Sequence, residues 1–238
     1  MPNKVKVGFF SFTEVLDGRH REYNEWHLFD HMPENFKLEG LQWGQRWVAT
    51  PELMERRLFA GGDLARTQYV TLYLITAPVQ QTIDDFFALG RALYKADRFF
   101  EARKSHLSGS FELVKTYVSP RLAFDADAIP YRPNRGIFVT AQDGIDGTAL
   151  NEARQWYDQV HIPELLSVQG VAGCWWVENT DGRTIRVYWL DDDPSLFLDD
   201  LKAKTPAMSM IDLRQAYSTL LVGAYQSIPW DSPFDWFD

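Results

Sequence analysis

The sequence predicts an α+β fold in which one β-α-β-β-α-β unit occurs twice. Two observations support this: an internal repeat at an offset of 130 residues, and the same succession of apolar runs and amphipathic segments in each copy. The identities in the repeat are Glu22, Trp26, His31, Pro33, Glu34 and Gly40, which fall on Glu152, Trp156, His161, Pro163, Glu164 and Gly170. Because tryptophan and histidine are rare residues, this agreement indicates a duplication.

Each element of the unit follows from the residue pattern. Apolar runs at 5–12 and 136–141 predict the first strand, and the next segment has the helical spacing of apolar residues and ends at Gly40 or Gly170. Runs rich in β-branched and aromatic residues predict strands at 41–49, 69–76, 171–178 and 185–190. A second helix is predicted over about 82–104 and 194–204, with a last strand over 111–118 and about 220–226. This order is that of the ferredoxin-like unit.

The domain organisation follows from the two copies. Residues 1–119 form the first unit, with an insertion near 51–66; a proline-containing linker spans 120–134; residues 135–228 form the second unit, and 229–238 are an acidic aromatic tail. Helices cover only one face of each sheet, so the other face needs a partner. We therefore expect the two antiparallel sheets to pair within one chain. The tail either caps an apolar surface or is a flexible end.

Composition excludes several classes of function. With 24 Lys and Arg against 33 Asp and Glu, the 238-residue chain carries a net charge of −9, which argues against nucleic acid and anionic membrane surfaces as partners. No stretch approaches the roughly 20 apolar residues of a membrane span, and the first residues lack a signal-peptide pattern. The one cysteine, Cys174, excludes an intramolecular disulfide. We expect a cytoplasmic protein.

The first helix of the second copy carries a resemblance to a known family. Its run from Trp156 to Val171, WYDQVHIPELLSVQGV, resembles the signature of the EthD-like family of the dimeric α/β-barrel superfamily, whereas the first copy keeps only the skeleton of that run. The resemblance implies that two sheets form a barrel, here inside one chain, and that the substrate is small and often aromatic. Superfamily activities include cofactor-free oxygenation, cyclisation, isomerisation, decarboxylation and haem-dependent dehydration, so no single reaction is implied.

The His-x-Pro-Glu element is the main candidate for chemistry. Pro33 and Pro163 each remove a backbone donor within a helical run, which predicts a bend that leaves His31 and His161 beside it. A histidine there can face the space between helix and sheet and move a proton near neutral pH. Alternatively, the imidazoles only satisfy loosened backbone groups. Since the second copy matches the family signature better, His161 is the preferred base and His31 the second candidate.

Two carboxylates are candidate catalytic partners of His161. Asp158 precedes it by three residues and can hold its tautomer, while Glu164 can serve as an acid partner. Each has a structural alternative: Asp158 a solvated surface position, Glu164 support of the helix start after the proline.

The aromatic content of 15% suits either a core or a pocket for a flat ligand. Candidate substrate-binding residues are Tyr157, Trp156, Trp26, Tyr23, Tyr188 and Arg186. Core packing is the alternative for the tryptophans; Arg186 and Arg91 can anchor a carboxylate or phenolate.

Metal and cofactor signals are weak. His27 and His31 share a helix face at the spacing of helical zinc sites, but the second copy has Tyr157 in place of His27. Phosphate-binding loops and nucleophile elbows are missing from the sequence. No metal and no cofactor are predicted.

These observations predict a cofactor-independent lyase or isomerase, acting by histidine acid–base chemistry on a small aromatic or polyketide-like compound through elimination, decarboxylation or cyclisation. A non-catalytic binder of a hydrophobic metabolite is the main alternative, followed by a haem- or metal-dependent enzyme. A second copy of the chain is a further candidate partner.

Overall fold

The computed structural model describes residues 4–145 and 147–238, which adopt the predicted α+β fold around one large antiparallel sheet. The first half contains strands β1 (Val5–Val15), β2 (Leu41–Val48), β3 (Phe59–Ala60), β4 (Tyr69–Thr76) and β5 (Arg103–Val118), and helices α1 (His20–Trp26), α2 (Met32–Asn35), α3 (Pro51–Glu55) and α4 (Val79–Lys95). The second half contains β6 (Gly136–Gly144), β7 (Val171–Glu178), β8 (Arg183–Leu190) and β9 (Tyr217–Ser227), with α5 (Thr148–Trp156), α6 (Ile162–Leu166) and α7 (Pro194–Lys204).

The strand order joins the two halves. β2-β4-β1-β5 continues into β7-β8-β6-β9, so the four main strands of each half follow the same order. β5 pairs with β7 along one seam. At the other seam Trp47 and Val48 of β2 lie opposite Ser227 and Gln226 of β9. This second pairing closes the sheet.

The inside of the closed sheet is a packed apolar core. Because side chains alternate along a strand, Phe10 and Phe12 of β1 lie in this core while Phe9 lies on the helix-covered face. Trp175 and Trp189 meet there with ring centroids 5.6 Å apart, and both are fully buried. The interior is therefore filled, and it is the outer face, under the helices, that has room for a site.

The insertion adds a short strand to the sheet, and the tail covers part of its surface. Within the insertion, Phe59 of β3 pairs with Val222 of β9. In the tail, the Phe237 ring stacks on His20 with centroids 4.0 Å apart, and Trp236 packs against the same apolar cluster. The tail thus caps an apolar surface, the first of its two expected roles. The predicted domain boundaries remain a prediction.

Helix α4 ends earlier than the sequence predicts. The expected helix ran to about residue 104, but α4 stops at Lys95 and β5 begins at Arg103 instead of 111. Asp97 adopts a left-handed φ of 57°, and the Arg98 N–H donates to the Leu93 carbonyl at 3.0 Å, as in a Schellman cap. Glycine is the usual residue at this position, so an aspartate gave no stop signal. As a result, Arg103 lies on the sheet.

None of the helices among the described residues is both long enough and apolar enough to cross a membrane.

Candidate functional site

Each His-x-Pro-Glu element begins with the last residue of a π-helical turn. The turns span His27–His31, between α1 and α2, and Tyr157–His161, between α5 and α6. Pro33 and Pro163 follow at the start of the next helix, where the missing backbone N–H needs no partner. The predicted break is thus a widened turn, a feature often found at functional sites.

The histidine that ends each turn stacks on a tryptophan in both halves. Trp26 stacks on His31 with centroids 4.6 Å apart, and Trp156 stacks on His161 at 4.5 Å, both at an interplanar angle of 19°. Burial, and secondarily a nearby arginine, lowers the pKa of each imidazole to about 4. Both rings are therefore neutral at pH 7 and able to accept a proton.

His27 and His31 of the first π turn line a cavity whose walls are mainly apolar. The cavity has a volume of about 440 Å³ and lies between α1, α4 and the outer face of β1, β4 and β5. Its size is that of a small-molecule site. The lining includes His27, His31, Tyr23, Asn35 and Tyr73, and the aromatic residues Phe9, Phe86, Phe87, Tyr94 and Phe99. A polar recess of about 520 Å³ in the second half lies at the start of α5 and the turn between β7 and β8, and its lining does not include the turn that ends at His161.

Strand register identifies the residue whose side chain occupies the equivalent space in the second half. Thr71 of β4 lies opposite Arg46 and lines the cavity. At the corresponding position, Arg186 of β8 lies opposite Trp176, the repeat equivalent of Arg46. A short hydroxyl side chain on one half is thus matched by a long cationic one on the other.

The side chain of Arg186 fills the space beneath the second π turn. Its guanidinium lies 3.5 Å from the centre of the Tyr157 ring and is fully buried. It donates to Gln142 Oε1 at 2.8 Å and to the Tyr217 hydroxyl at 3.1 Å. These contacts occupy the space that stays open beneath His31.

Helix length is the second difference between the halves. α4 has 17 residues and α7 has 11, and the later turns of α4 place Gly90, Arg91, Tyr94 and Lys95 on the cavity. A Cβ added at Gly90 would meet no heavy atom within 4 Å. The glycine therefore keeps this wall of the cavity open.

A tyrosine supplies a polar group to the cavity. The Tyr73 hydroxyl accepts a hydrogen bond from Asn35 Nδ2 at 3.0 Å, and burial raises its pKa. The phenol therefore stays protonated at neutral pH, and its O–H is free to donate to a ligand oxygen.

The structure separates the predicted site residues into two groups. Tyr23 and His31 line the cavity, and Trp26 packs behind His31 with its indole N–H donated to the Arg98 carbonyl at 2.8 Å. The others lie in or against the filled second half: Trp156, Tyr157, His161, Tyr188 and Arg186. The preference for His161 remains a prediction, whereas the geometry favours His31.

The two candidate carboxylates have other partners. Asp158 accepts hydrogen bonds from Lys115 Nζ at 2.5 Å and from the Tyr117 hydroxyl at 2.7 Å. Both oxygens of Glu164 accept from the Ser209 backbone N–H at 3.1 Å. Neither carboxylate hydrogen-bonds to His161, so the geometry gives no support to their orienting roles.

Sequence reasoning missed several cavity residues. Tyr73 and Asn35 gave no motif of their own, and Arg103 was assigned to a helix. The cluster of Phe86 and Phe87 with a glycine three residues later inside a predicted helix was an available signal, because glycine in a helix interior costs stability unless space is needed.

The residues do not fit a metal or haem ligand set. The described residues contain no group of three or more His, Cys, Asp or Glu side chains arranged to hold a metal ion. A ligating histidine normally donates its second ring N–H to a fixed partner. The Nδ1 atoms of His27 and His31 are buried and make no hydrogen bond within the described part of the chain.

Comparison with known proteins gives structural neighbours. No family model matches the chain, and no curated protein matches its sequence. A dye-decolorizing peroxidase from Bacteroides thetaiotaomicron is similar over 100% of this chain and 97% of its own, with a TM-score of 0.59 and 8% identity. A variant of the chlorite dismutase from Candidatus Nitrospira defluvii is similar over 99% of this chain and 96% of its own, with a TM-score of 0.53 and 11% identity. A DyP-type peroxidase from Mycobacterium smegmatis is similar over 97% of this chain and 94% of its own, with a TM-score of 0.52 and 10% identity.

The likeness is one of fold. These neighbours share the dimeric α/β-barrel architecture, and at such low identity the similarity shows nothing finer. Membership in the EthD-like family stays a prediction, and the activities of the neighbours are their own.

Proposed function

We propose that this chain is an enzyme that binds a small aromatic compound beneath the first π turn and moves a proton on it with His31. The observation that carries the proposal is the cavity itself, which aromatic side chains line together with the neutral imidazole of His31. Within the described part of the chain, the buried Nδ1 of this ring makes no hydrogen bond. The reaction class that fits is a cofactor-independent lyase or isomerase, since one positioned base suffices for elimination, decarboxylation or shift of a double bond.

The proposed architecture is an intramolecular pair of ferredoxin-like units. The equal strand order of the two halves, the two seams and the motif repeat at 130 residues support it. In this view the second unit completes the barrel, and its own pocket has been filled by Arg186 and its partners.

The proposed chemistry assigns one role to each group. His31 takes a proton from a carbon or oxygen of the substrate and returns it to another atom of the same molecule, so no external acid or oxidant is consumed. The Tyr73 O–H donates to the substrate oxygen on which negative charge develops. Phe99 and Phe86 hold the ring and keep water away from the reacting atoms.

The test uses solvent deuterium exchange, which requires no knowledge of the natural substrate. Phenylpyruvate and phenylacetone are incubated with the protein in D₂O, and loss of the benzylic proton signal is followed by NMR. Wild-type protein should accelerate the exchange of at least one probe over buffer, and His31→Gln should reduce that rate by at least roughly tenfold. His161→Gln is the matched control and should keep the rate.

Three outcomes contradict this assignment. Loss of exchange in His161→Gln alone would place the base in the second half, and equal loss in both folded variants would contradict a role for His31 alone. Saturable binding of both probes without any exchange would favour the alternative, a non-catalytic binder of a hydrophobic metabolite.

A further inference from the structure

The cavity carries positive charge and no negative charge among the described residues. Arg91 and Lys95 stand exposed at its mouth and Arg103 lies further in, while no aspartate or glutamate is part of the lining. None of these three cations forms an ion pair with a described carboxylate. A ligand that enters therefore meets a field that favours an anion.

Arg103 lines the cavity and makes no side-chain hydrogen bond to another described residue. Its Nε is buried without a hydrogen bond, and its guanidinium lies 4.5 Å from the centre of the Phe99 ring and 5.4 Å from that of Trp26. The side chain is half-buried, and burial lowers the pKa of its guanidinium. Because even partial burial of an unpaired charge costs free energy, an anion bound beside Arg103 is favoured.

A second unpaired cation lies behind the cavity. Arg46 is 3% exposed, and among described residues its side chain hydrogen-bonds only to Asn24 Oδ1 at 2.9 Å. Its Nε and Nη1 make no hydrogen bond to any described residue, and its guanidinium lies 4.9 Å from the centre of the Tyr23 ring. Its charge adds to that of Arg103 and, like the latter, disfavours the protonated form of His31.

The position of the Arg103 guanidinium indicates which kind of anion it can bind. A guanidinium that rests on the face of Phe99 keeps its N–H edges available, and these edges match the two oxygens of a carboxylate. The neighbouring rings of Phe9, Phe86 and Phe99 suit a flat apolar body.

We propose that the ligand class of this cavity is an aromatic carboxylate, whose carboxylate pairs with Arg103 while its ring lies among the phenylalanines. This inference rests on the proposed function, because it specifies the compound on which His31 would act. Binding of the carboxylate also removes one cause of the low pKa of His31. The imidazole would thus become a stronger base once its substrate is bound.

The test compares 2-naphthoate with its uncharged isostere 2-naphthamide by calorimetric titration. Wild-type protein should bind the carboxylate at least roughly tenfold more tightly than the amide. Arg103→Gln should abolish this preference while it retains binding of the amide. Arg98→Gln, which removes a paired arginine outside the cavity lining, is the matched control and should keep the preference.

A second substitution keeps the test valid if Arg103→Gln does not fold. Arg103→Lys keeps the charge but not the two-point contact, and it should weaken the binding of 2-naphthoate by about three- to tenfold. Unchanged affinity in a folded Arg103→Lys or Arg103→Gln protein, or loss of the preference in Arg91→Gln alone, overturns the assignment. Equal binding of acid and amide by wild type refutes the carboxylate but leaves the proposed function standing, whereas absence of deuterium exchange refutes the proton transfer but not the carboxylate site.

Discussion

Gly90 offers a test of the cavity that leaves every charged and titratable side chain unchanged. The residue lies within α4, lines the cavity, and has no heavy atom within 4 Å of the position of an added Cβ. A glycine in a helix interior costs about 1 kcal/mol relative to alanine. The structure gives a reason for a glycine at this position: a longer side chain at residue 90 would project into the space where a ligand binds.

Two substitutions separate the stability effect from the binding effect. Gly90→Ala should raise the free energy of unfolding by about 1 kcal/mol, which corresponds to about 2–4 °C in melting temperature for a chain of this size. Gly90→Leu should keep most of this gain, because leucine is also a good helix former, and should fill part of the 440 Å³ cavity. We expect it to weaken binding of 2-naphthoate at least roughly tenfold, or about 1.4 kcal/mol.

Thermal unfolding followed by circular dichroism measures the first effect and calorimetric titration the second. A stabilised Gly90→Leu protein with wild-type affinity would refute the cavity as the binding site. A destabilised Gly90→Ala protein would show that the position is not open as the structure describes it.

Two further predictions concern the buried charged groups. The pKa of His31 is about 4 in the folded chain and near 6.5 in the unfolded chain, so between these values the unfolded chain binds more protons. The free energy of unfolding therefore falls as the pH drops, by up to about 3 kcal/mol from this residue. Urea unfolding at pH 7 and pH 5 should show a smaller loss of stability in His31→Gln than in wild type, and an equal loss would contradict this prediction. Arg186 disfavours the protonated form of His161, so Arg186→Gln should raise the pKa of His161 in an NMR titration, and an unchanged or lower value would refute the account of the filled half.

The repeat and the element types were predictable because they depend on local pattern. Pro33 and Pro163 predicted the interruption of the first helix in each half, and apolar runs predicted the strands of the closed sheet. The end of α4 was not predictable, since Asp97 takes a left-handed conformation usually left to glycine. That single cap decides whether Arg103 lies on a helix or on the floor of the cavity.

The location of the site depended on residues that no motif contains. His161 has the fuller family signature, yet the space beside it is closed by Arg186 from a strand some 25 residues further along the chain. The equivalent position beside His31 holds Thr71. A motif specifies the turn and its histidine, whereas open volume depends on side chains from several strands that meet only in the folded chain.

The central claim, that the first half holds the functional cavity, is tested most directly by NMR of the histidine rings. The chain has only five histidines, so each imidazole signal can be assigned by single substitution. On addition of 2-naphthoate, the signals of His27 and His31 should shift in a saturable manner while that of His161 stays in place, because only the first two line the cavity. Saturable shifts at His161 with unchanged signals at His27 and His31 would contradict the account.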